Sequence, residues 1–354
     1  MKKLIVLATL AALPAVALAD VTISGDIGVA IVNTKHHDTG IFADKTSVNG
    51  MERQTGQIVF SGSDDLGNGL KAIWQVANRI DGSGNEQANA WSGRDTFVGL
   101  QGGFGKLRFG HLSTTTNSGY DRPEVFAHIS LDGDGVGALG EARTANTIRY
   151  DSPNYGGFEF AASAELAPEN TPDGFGGQAA QHTSSLGLKY ATGPLSLVYS
   201  YVNYKDTFSA LDPTLNNFWF GSSDAVAEEK AKTRVHTAKA EYAAGDLTVG
   251  VGYVQAKSSD SFGWVKERGY GVYGSYKLGQ LTPKLSYWKE GALKSDFGQV
   301  LGGFSVLSVG ADYALSKRTS AGVELQYQGA RKVTGTSDKY GKKNISAVYL
   351  THAF

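Results

Sequence analysis

Ala321-Gly322-Val323-Glu324-Leu325-Gln326-Tyr327 places Ala, Val, Leu and Tyr on one face of an extended chain and Gly, Glu and Gln on the other. A period of two marks a strand with one apolar and one polar face, whereas a helix repeats its apolar positions every ~3.6 residues. Leu247-Thr248-Val249-Gly250-Val251-Gly252-Tyr253 repeats the pattern. Leu195-Ser196-Leu197-Val198-Tyr199-Ser200-Tyr201 does so with one slip, at Val198.

Outward from these segments, two kinds of connection alternate. Short turns fall at residues 64–69, 102–105, 152–157, 191–194, 243–246, 278–282 and 315–318, each carrying Gly, Pro, Asn, Asp or Ser. Long polar stretches fall near 34–50, 80–93, 112–143, 167–181, 206–231, 258–267, 290–303 and 331–342. Seven short turns and eight long loops join sixteen strands, an even number with the short-turn, long-loop asymmetry of an outer-membrane barrel. Sixteen strands enclose a lumen too wide for side chains to fill, so the polar face lines water and the apolar face meets lipid. Tyr190, Tyr270, Tyr276 and Tyr313 lie near strand ends, where an interfacial girdle needs them. The expected fold is all-β: a sixteen-stranded antiparallel transmembrane β-barrel whose third long loop folds inward.

The ends and composition agree with export. Lys2-Lys3, the apolar run from Leu4 and the small-residue site Ala17-Leu18-Ala19 form a secretory signal peptide over residues 1–19, leaving a barrel domain over 20–354. With Lys2 and Lys3 removed from the 33 bases, 31 remain against 34 acids, a formal charge of −3 that supplies no basic field for nucleic acid. The chain has no cysteine, so no disulfide framework holds it, and its 46 glycines, 17 tyrosines and 16 phenylalanines favour strands and tight turns.

The stretch Leu112 to Arg143 has no period, and connections of that length are usually functional. It carries Asp121, Glu124, Asp132, Asp134 and Glu141 against the single base Arg122, while the flanking strands offer Lys106, Arg108, Arg143 and Arg149. Strand parity sends Lys106 and Arg108 into the lumen, because Leu107 and Phe109 must meet lipid; Arg143 and Arg149 share one parity on the next strand. The same rule sends Lys71, Gln75 and Arg79 inward, and Arg94 inward with Thr96, leaving Asp95 outward. The expectation is a loop folded into the barrel mouth, its acidic edge facing a basic wall.

Several stretches carry a family resemblance: Asp64-Asp65-Leu66-Gly67-Asn68-Gly69-Leu70-Lys71-Ala72-Ile73-Trp74-Gln75-Val76, Phe97-Val98-Gly99-Leu100, Gly103-Phe104-Gly105-Lys106-Leu107-Arg108, Arg149-Tyr150-Asp151-Ser152-Pro153, Ser316-Lys317-Arg318-Thr319 and the terminal Phe354. Together they resemble the general trimeric porins of Gram-negative outer membranes, in the neisserial-type branch. The resemblance covers the mature chain. It implies a homotrimer, a constriction made by the third loop, and passive diffusion of ions and small hydrophilic solutes through a membrane of lipid and lipopolysaccharide. It implies recognition of Phe354 by the barrel-assembly machinery. It implies that Arg94 is a constriction arginine and Glu124 an eyelet carboxylate, with Asp121 near but not at the matching position. Gln57 stands where the family has a basic residue, and Asp26 also makes the wall less basic, so the implied anion preference is weak.

Other motifs carry less. Gly135-Val136-Gly137-Ala138-Leu139-Gly140 follows no strand and opens no helix, so it reads as loop rather than phosphate cradle. Asp132-Gly133-Asp134-Gly135 is half a calcium loop without the remaining ligands, and His36-His37 has no partner at metal spacing, so no metal or cofactor is expected. No Gly-x-Ser-x-Gly elbow is present, and the expectation is a channel rather than an enzyme. The alternatives are a plugged adhesive or structural barrel presenting Phe218-Trp219-Phe220 in the loop Asp206–Ala231, or a barrel hydrolase. Mass spectrometry of protein exported in cells checks the first boundary: the mature chain should begin at Asp20, and a chain retaining Lys2 and Lys3 would contradict it.

Overall fold

The computed structural model describes residues 21–37, 47–53, 56–80, 93–121, 125–127, 129, 135, 140–166, 182–207, 231–259 and 263–354. Sixteen barrel strands follow one another: β1 (Thr22–His36), β2 (Ser47–Arg53 with Gly56–Gly67), β3 (Leu70–Ile80), β4 (Thr96–Gly102), β5 (Gly105–Ser113), β6 (Arg143–Asp151), β7 (Phe158–Glu165) and β8 (His182–Thr192) form one half. The other half is β9 (Leu195–Thr207), β10 (Ala231–Ala244), β11 (Leu247–Ser259), β12 (Trp264–Tyr276), β13 (Leu281–Glu290 with Leu293–Ser295), β14 (Gly298–Leu301 with Phe304–Ala314), β15 (Thr319–Gln328 with Arg331–Lys332) and β16 (Lys339–Tyr340 with Lys343–Ala353).

Each strand pairs antiparallel with the next, and β16 pairs with β1 from Asp26↔Ala353 to His36↔Lys343. Phe354 completes the seam, its N–H donating to Gly25 O at 2.9 Å and its carbonyl accepting from Gly25 N at 3.1 Å. The sheet therefore closes without an edge, which is what a wall in hydrocarbon requires.

All seven short turns lie where the sequence places them. In the first, Asn68 and Gly69 have φ of 54° and 77°, a pair of left-handed residues that the Asn-Gly dipeptide accommodates in a two-residue hairpin. Two stretches expected as loops are largely strand. β11 runs to Ser259 and β12 resumes at Trp264, while Leu293–Ser295 pairs with Gly298–Leu301. Apolar alternation reports which face is covered, so it fades beyond the lipid boundary even where the ladder continues.

The exposed side chains are those of a lipid-facing wall: Ile31 is 66 % exposed, Val98 61 % and Val348 59 %. A soluble surface rarely exposes apolar area this extensively. The opposite parity faces the lumen, and there the exceptions to polarity are informative. Val202, Val235, Val254 and Val306 point inward yet are buried, packed in one cluster with Phe126 and Ile129 of the β5–β6 connection. Val198, the slip in the alternation of β9, packs with Ala161 and Tyr120 from the same connection. On β9, β10, β11 and β14 the lumen face is apolar where the loop is seated.

One parity reading is corrected. Val98 and Leu100 face lipid, which puts Phe97 inside, where the Arg108 guanidinium lies 5.2 Å over its ring; Asp95, expected outward, is instead engaged by Arg143 and Ser113. Arg94 precedes the first residue of β4, so alternation along that strand does not set its direction.

Tyr120 is seated on Gly187 of β8, where a Cβ would lie 2.4 Å from the ring. Gly187→Val should force the ring off the wall at an overpacking cost of about 1–3 kcal/mol. Limited proteolysis of the folded barrel should then cut between Ser118 and Glu141 faster than in the parent, and an unchanged rate would show that the seat does not depend on this contact.

Candidate functional site: an inward loop and a charged lumen wall

The β5–β6 connection is held at three places. At its root, Thr114 N donates to Ala142 O at 2.9 Å and Thr114 Oγ1 to Gly140 O at 2.7 Å, so the two ends of the loop are tied together. The short 3-10 turn Thr115–Asn117 then docks on the lumen face of β8 and β9. Thr115 N donates to Ser185 Oγ at 3.0 Å, Thr115 Oγ1 lies 3.1 Å from Ser200 Oγ, and Thr116 Oγ1 also contacts Ser200 Oγ. Farther round the barrel, Ala127 N and Ile129 N donate to the two oxygens of Glu324 on β15, at 2.7 and 3.3 Å. One connection thus touches inward-facing residues of β8, β9 and β15.

The Glu324 carboxylate is fully buried and has a cationic partner. Lys284 Nζ of β13 lies 3.1 Å from Glu324 and 3.0 Å from Asp312, with its charge 5.2 Å over the Phe126 ring. Tyr349 of β16 donates to Asp312 and lies 3.3 Å from Lys284 Nζ. Buried charges persist only when paired and hydrogen-bonded, and this group meets that condition from β13, β14, β15 and β16 with the loop on top.

Arg149, expected as a pore-lining charge, is instead only 1 % exposed. It donates to Ser113 O at 3.0 Å and Ser118 O at 2.9 Å, and it grips Asp151 Oδ1 with Nε and Nη2 at 3.1 and 2.8 Å. Its guanidinium fork is spent on the loop root, which parity could not reveal because parity gives the face and not what covers it. Arg108 lies 2.5 Å from the other oxygen of Asp151, so two arginines share one carboxylate. Arg143 Nε lies 3.0 Å from Asp95 Oδ1, which also accepts from Ser113. An exposed pair such as Lys189–Glu159, at 3.7 Å, contributes at most about 1 kcal/mol. Removing one partner of a pair as buried as Arg149–Asp151 costs about 3–5 kcal/mol, so the latter decides where the loop root sits.

At mid-wall the register sets Asp26 of β1 opposite Gln57 of β2, and Gln57 opposite Arg79 of β3. Arg94 donates its backbone N–H to Ala77 O at 3.2 Å and lies within electrostatic range of Asp26. Arg94, Gln57 and Arg79 therefore belong to one polar row, with Arg143–Asp95 and the Arg108–Asp151–Arg149 group on the strands beyond. Asp121 faces the lumen near Lys239 and Arg149. Partial desolvation raises its carboxyl above the usual range, opposed by the Gly119 backbone N–H and by those two cations. Glu124, Asp132 and Asp134 lie outside the described residues, as does Phe218-Trp219-Phe220.

Asp95 and Asp151 were missed as site residues. Asp95 was read as outward, and Asp151 stands at a strand end where a turn carboxylate is commonplace. The signal for Asp151 was the cross-strand pairing of Arg108 with Arg149, since two like charges side by side require a counter-charge.

A family model described as "Gram-negative porin" matches residues 6–332. The chain is 30 % identical to the major outer membrane protein P.IB of Neisseria meningitidis serogroup B (strain H44/76), over 97 % of this chain and 99 % of that one. The P.IB protein of Neisseria sicca is 30 % identical over 91 % and 92 %. Among solved structures, the anion-selective porin from Comamonas acidovorans superposes with a TM-score of 0.72 at 21 % identity, covering 95 % of this chain and all of that one. OmpT of Vibrio cholerae does so with a TM-score of 0.73 at 16 % identity, covering 96 % and 99 %. A closed sixteen-stranded barrel with a lipid-facing exterior, a charged lumen and this match along nearly its whole length belongs to the Gram-negative porin family, and the chain is an outer-membrane channel of the neisserial type.

Proposed function

We propose that the channel passes ions and small hydrophilic solutes by passive diffusion, with a weak preference for anions set where the third loop narrows the lumen, and that it works as a homotrimer. The observation that carries the preference is the charge count on the wall of β1–β6. Among the described residues about the constriction, Arg79, Arg94, Arg108 and Arg143, with Arg149 committed to the loop root, outnumber Asp26, Asp95 and Asp151. Arg143 is matched by Asp95, but Arg108 and Arg149 share one carboxylate, and Arg79 and Arg94 lie about Asp26. The residual field is positive. Asp121, Glu124 and Glu141 of the loop oppose it, and Gln57 removes a charge the wall would otherwise have.

The Debye length at physiological salt is about 8 Å, so a permeating ion feels mainly the nearer wall and neither sign is masked. Charge on both sides of a narrow, low-dielectric passage orients dipolar solutes and sets ion preference without any chemical step. The porins whose structures this chain resembles include one described as anion-selective and one described in a trimer form.

Planar-bilayer recording in a dilute salt gradient tests these points together. Insertions should appear as three linked current levels, and the reversal potential should lie modestly on the anion side. Arg94→Ala should move it toward cations, and Glu124→Gln toward anions. Acidification should also move it toward anions: Asp121 has a raised carboxyl, so it loses its charge earlier than an ordinary carboxylate as pH falls, and Asp121→Asn should flatten that part of the curve. A reversal potential that ignores both Arg94→Ala and Glu124→Gln would remove the charged constriction from the account. Single, unlinked current levels would remove the trimer.

A further inference from the structure

The seat of the β5–β6 connection carries a cation on each flank. Val198 of β9, against which Tyr120 packs, pairs with Lys189 of β8 on one side and with Lys239 of β10 on the other. Both lysines point inward. Lys189 shares the parity of Gly187 and Lys239 that of Val235, which face the loop, whereas Tyr190 and Tyr242 of the opposite parity are exposed to lipid.

The two lysines differ in their surroundings. Lys189 Nζ lies 3.7 Å from Glu159 of β7. Lys239 has Val198 on one side and Gly252 of β11 on the other, and among the described residues it forms no ion pair. Glu241, the next inward residue of β10, accepts a hydrogen bond from the Tyr273 hydroxyl at 2.6 Å. Lys239 is half-buried in this row. A charge withdrawn from water on an apolar surface needs a counter-charge, and the wall itself does not bring one within ion-pair distance.

The loop does. Tyr120 is fixed by Gly187 and Val198, so the next residue, Asp121, leaves the seat beside β9 and β10, where it is exposed. Its carboxylate is within electrostatic range of Lys239 and Arg149. The Arg149 charge is already taken by Asp151 at 2.8 Å, so Lys239 is the cation that Asp121 offsets. The remaining charged groups of the neighbourhood are the Lys189–Glu159 pair on β7–β8 and Glu241 on β10. Opposite charges side by side act on a passing ion as a dipole, whose field falls off faster than that of a single charge. When one is removed, the other acts as a full charge over a Debye length.

We propose that Lys239 is a specificity-determining residue of the channel, cancelling the charge of Asp121 on the loop and so holding the ion preference on the anion side. The proposal rests on the reading that wall and loop charges set that preference, and it adds a cation on the wall opposite the arginines.

The test records reversal potentials of the full-length protein in planar bilayers, in a dilute potassium chloride gradient, as pH is lowered from neutral. At 0.01 M salt, where the Debye length is ~30 Å, K239Q should lower the chloride-to-potassium permeability ratio about twofold. D121N should raise it by a similar factor, K239Q/D121N should return it to near the parent value, and K239R should match the parent. The pH profile separates a pair from two independent charges. Without Lys239 the Asp121 carboxyl loses a stabilising cation, so the acid step toward anions should move to higher pH in K239Q. That displacement should vanish in the D121N background, and K189Q should leave the step in place. An unchanged permeability ratio in K239Q while Arg94→Ala still shifts it overturns the role of Lys239 and leaves the charged constriction standing; indifference to both substitutions removes the constriction as well. An acid step that stays in place in K239Q, or moves equally in K189Q, makes Lys239 an ordinary wall charge and overturns the pairing. A K239R channel that behaves like K239Q shows that packing rather than charge is at work, which also overturns it.

Discussion

A backbone amide in hydrocarbon has no water to bond, so a sheet that crosses a membrane must pair every strand on both sides. In this chain that requirement is met at the β16–β1 seam, where eleven residues of each strand pair and Phe354 bonds Gly25 in both directions. Closure dictates much of the rest. A closed ring of sixteen strands holds water, so inward residues are polar and outward ones apolar, and each strand carries both faces in alternation. The period of two is thus a consequence of closure in lipid, and the exposure of Ile31, Val98 and Val348 is its outward sign.

A wet lumen leaves the third loop with a problem: backbone inside a barrel must still satisfy its donors. The solution is to bond it to the wall. Thr115 N is taken by Ser185, Ala127 N and Ile129 N by Glu324, and the carbonyls of Ser113 and Ser118 by Arg149. Charged partners suit this role because hydrogen bonds to ions are worth about 1.5–3 kcal/mol, against about 1 for neutral ones. Apolar contacts finish the seat, and for that reason five valines interrupt the polar lining. Some charges, such as Arg149 and Glu324, are consumed in holding the loop, while in the proposed function others, such as Arg94 and Asp121, act on passing ions.

The architecture was legible because repetition amplifies a weak signal. No single segment proves a membrane strand, but seven short turns alternating with long connections fixed the strand number and orientation. Legibility failed where the answer depends on more than parity. Asp95 was expected outward because Arg94 was placed by an alternation that begins only at Thr96. Arg149 was given the correct face and the wrong environment, since nothing local says that a loop will cover it. Val198 shows the reverse case: a break in pattern that looked like noise marks the contact with Tyr120.

The central claim is that the β5–β6 connection lies inside the conducting path. Ala127 is exposed and its N–H is bonded to the Glu324 carboxylate on the lumen wall. The parent chain contains no cysteine, so Ala127→Cys provides one addressable thiol. Labelling it with a bulky, cationic methanethiosulfonate during single-channel recording should lower the current in discrete steps and move the reversal potential toward anions. Complete labelling, verified by mass, with current and reversal potential unchanged would place the loop outside the ion path and contradict the account.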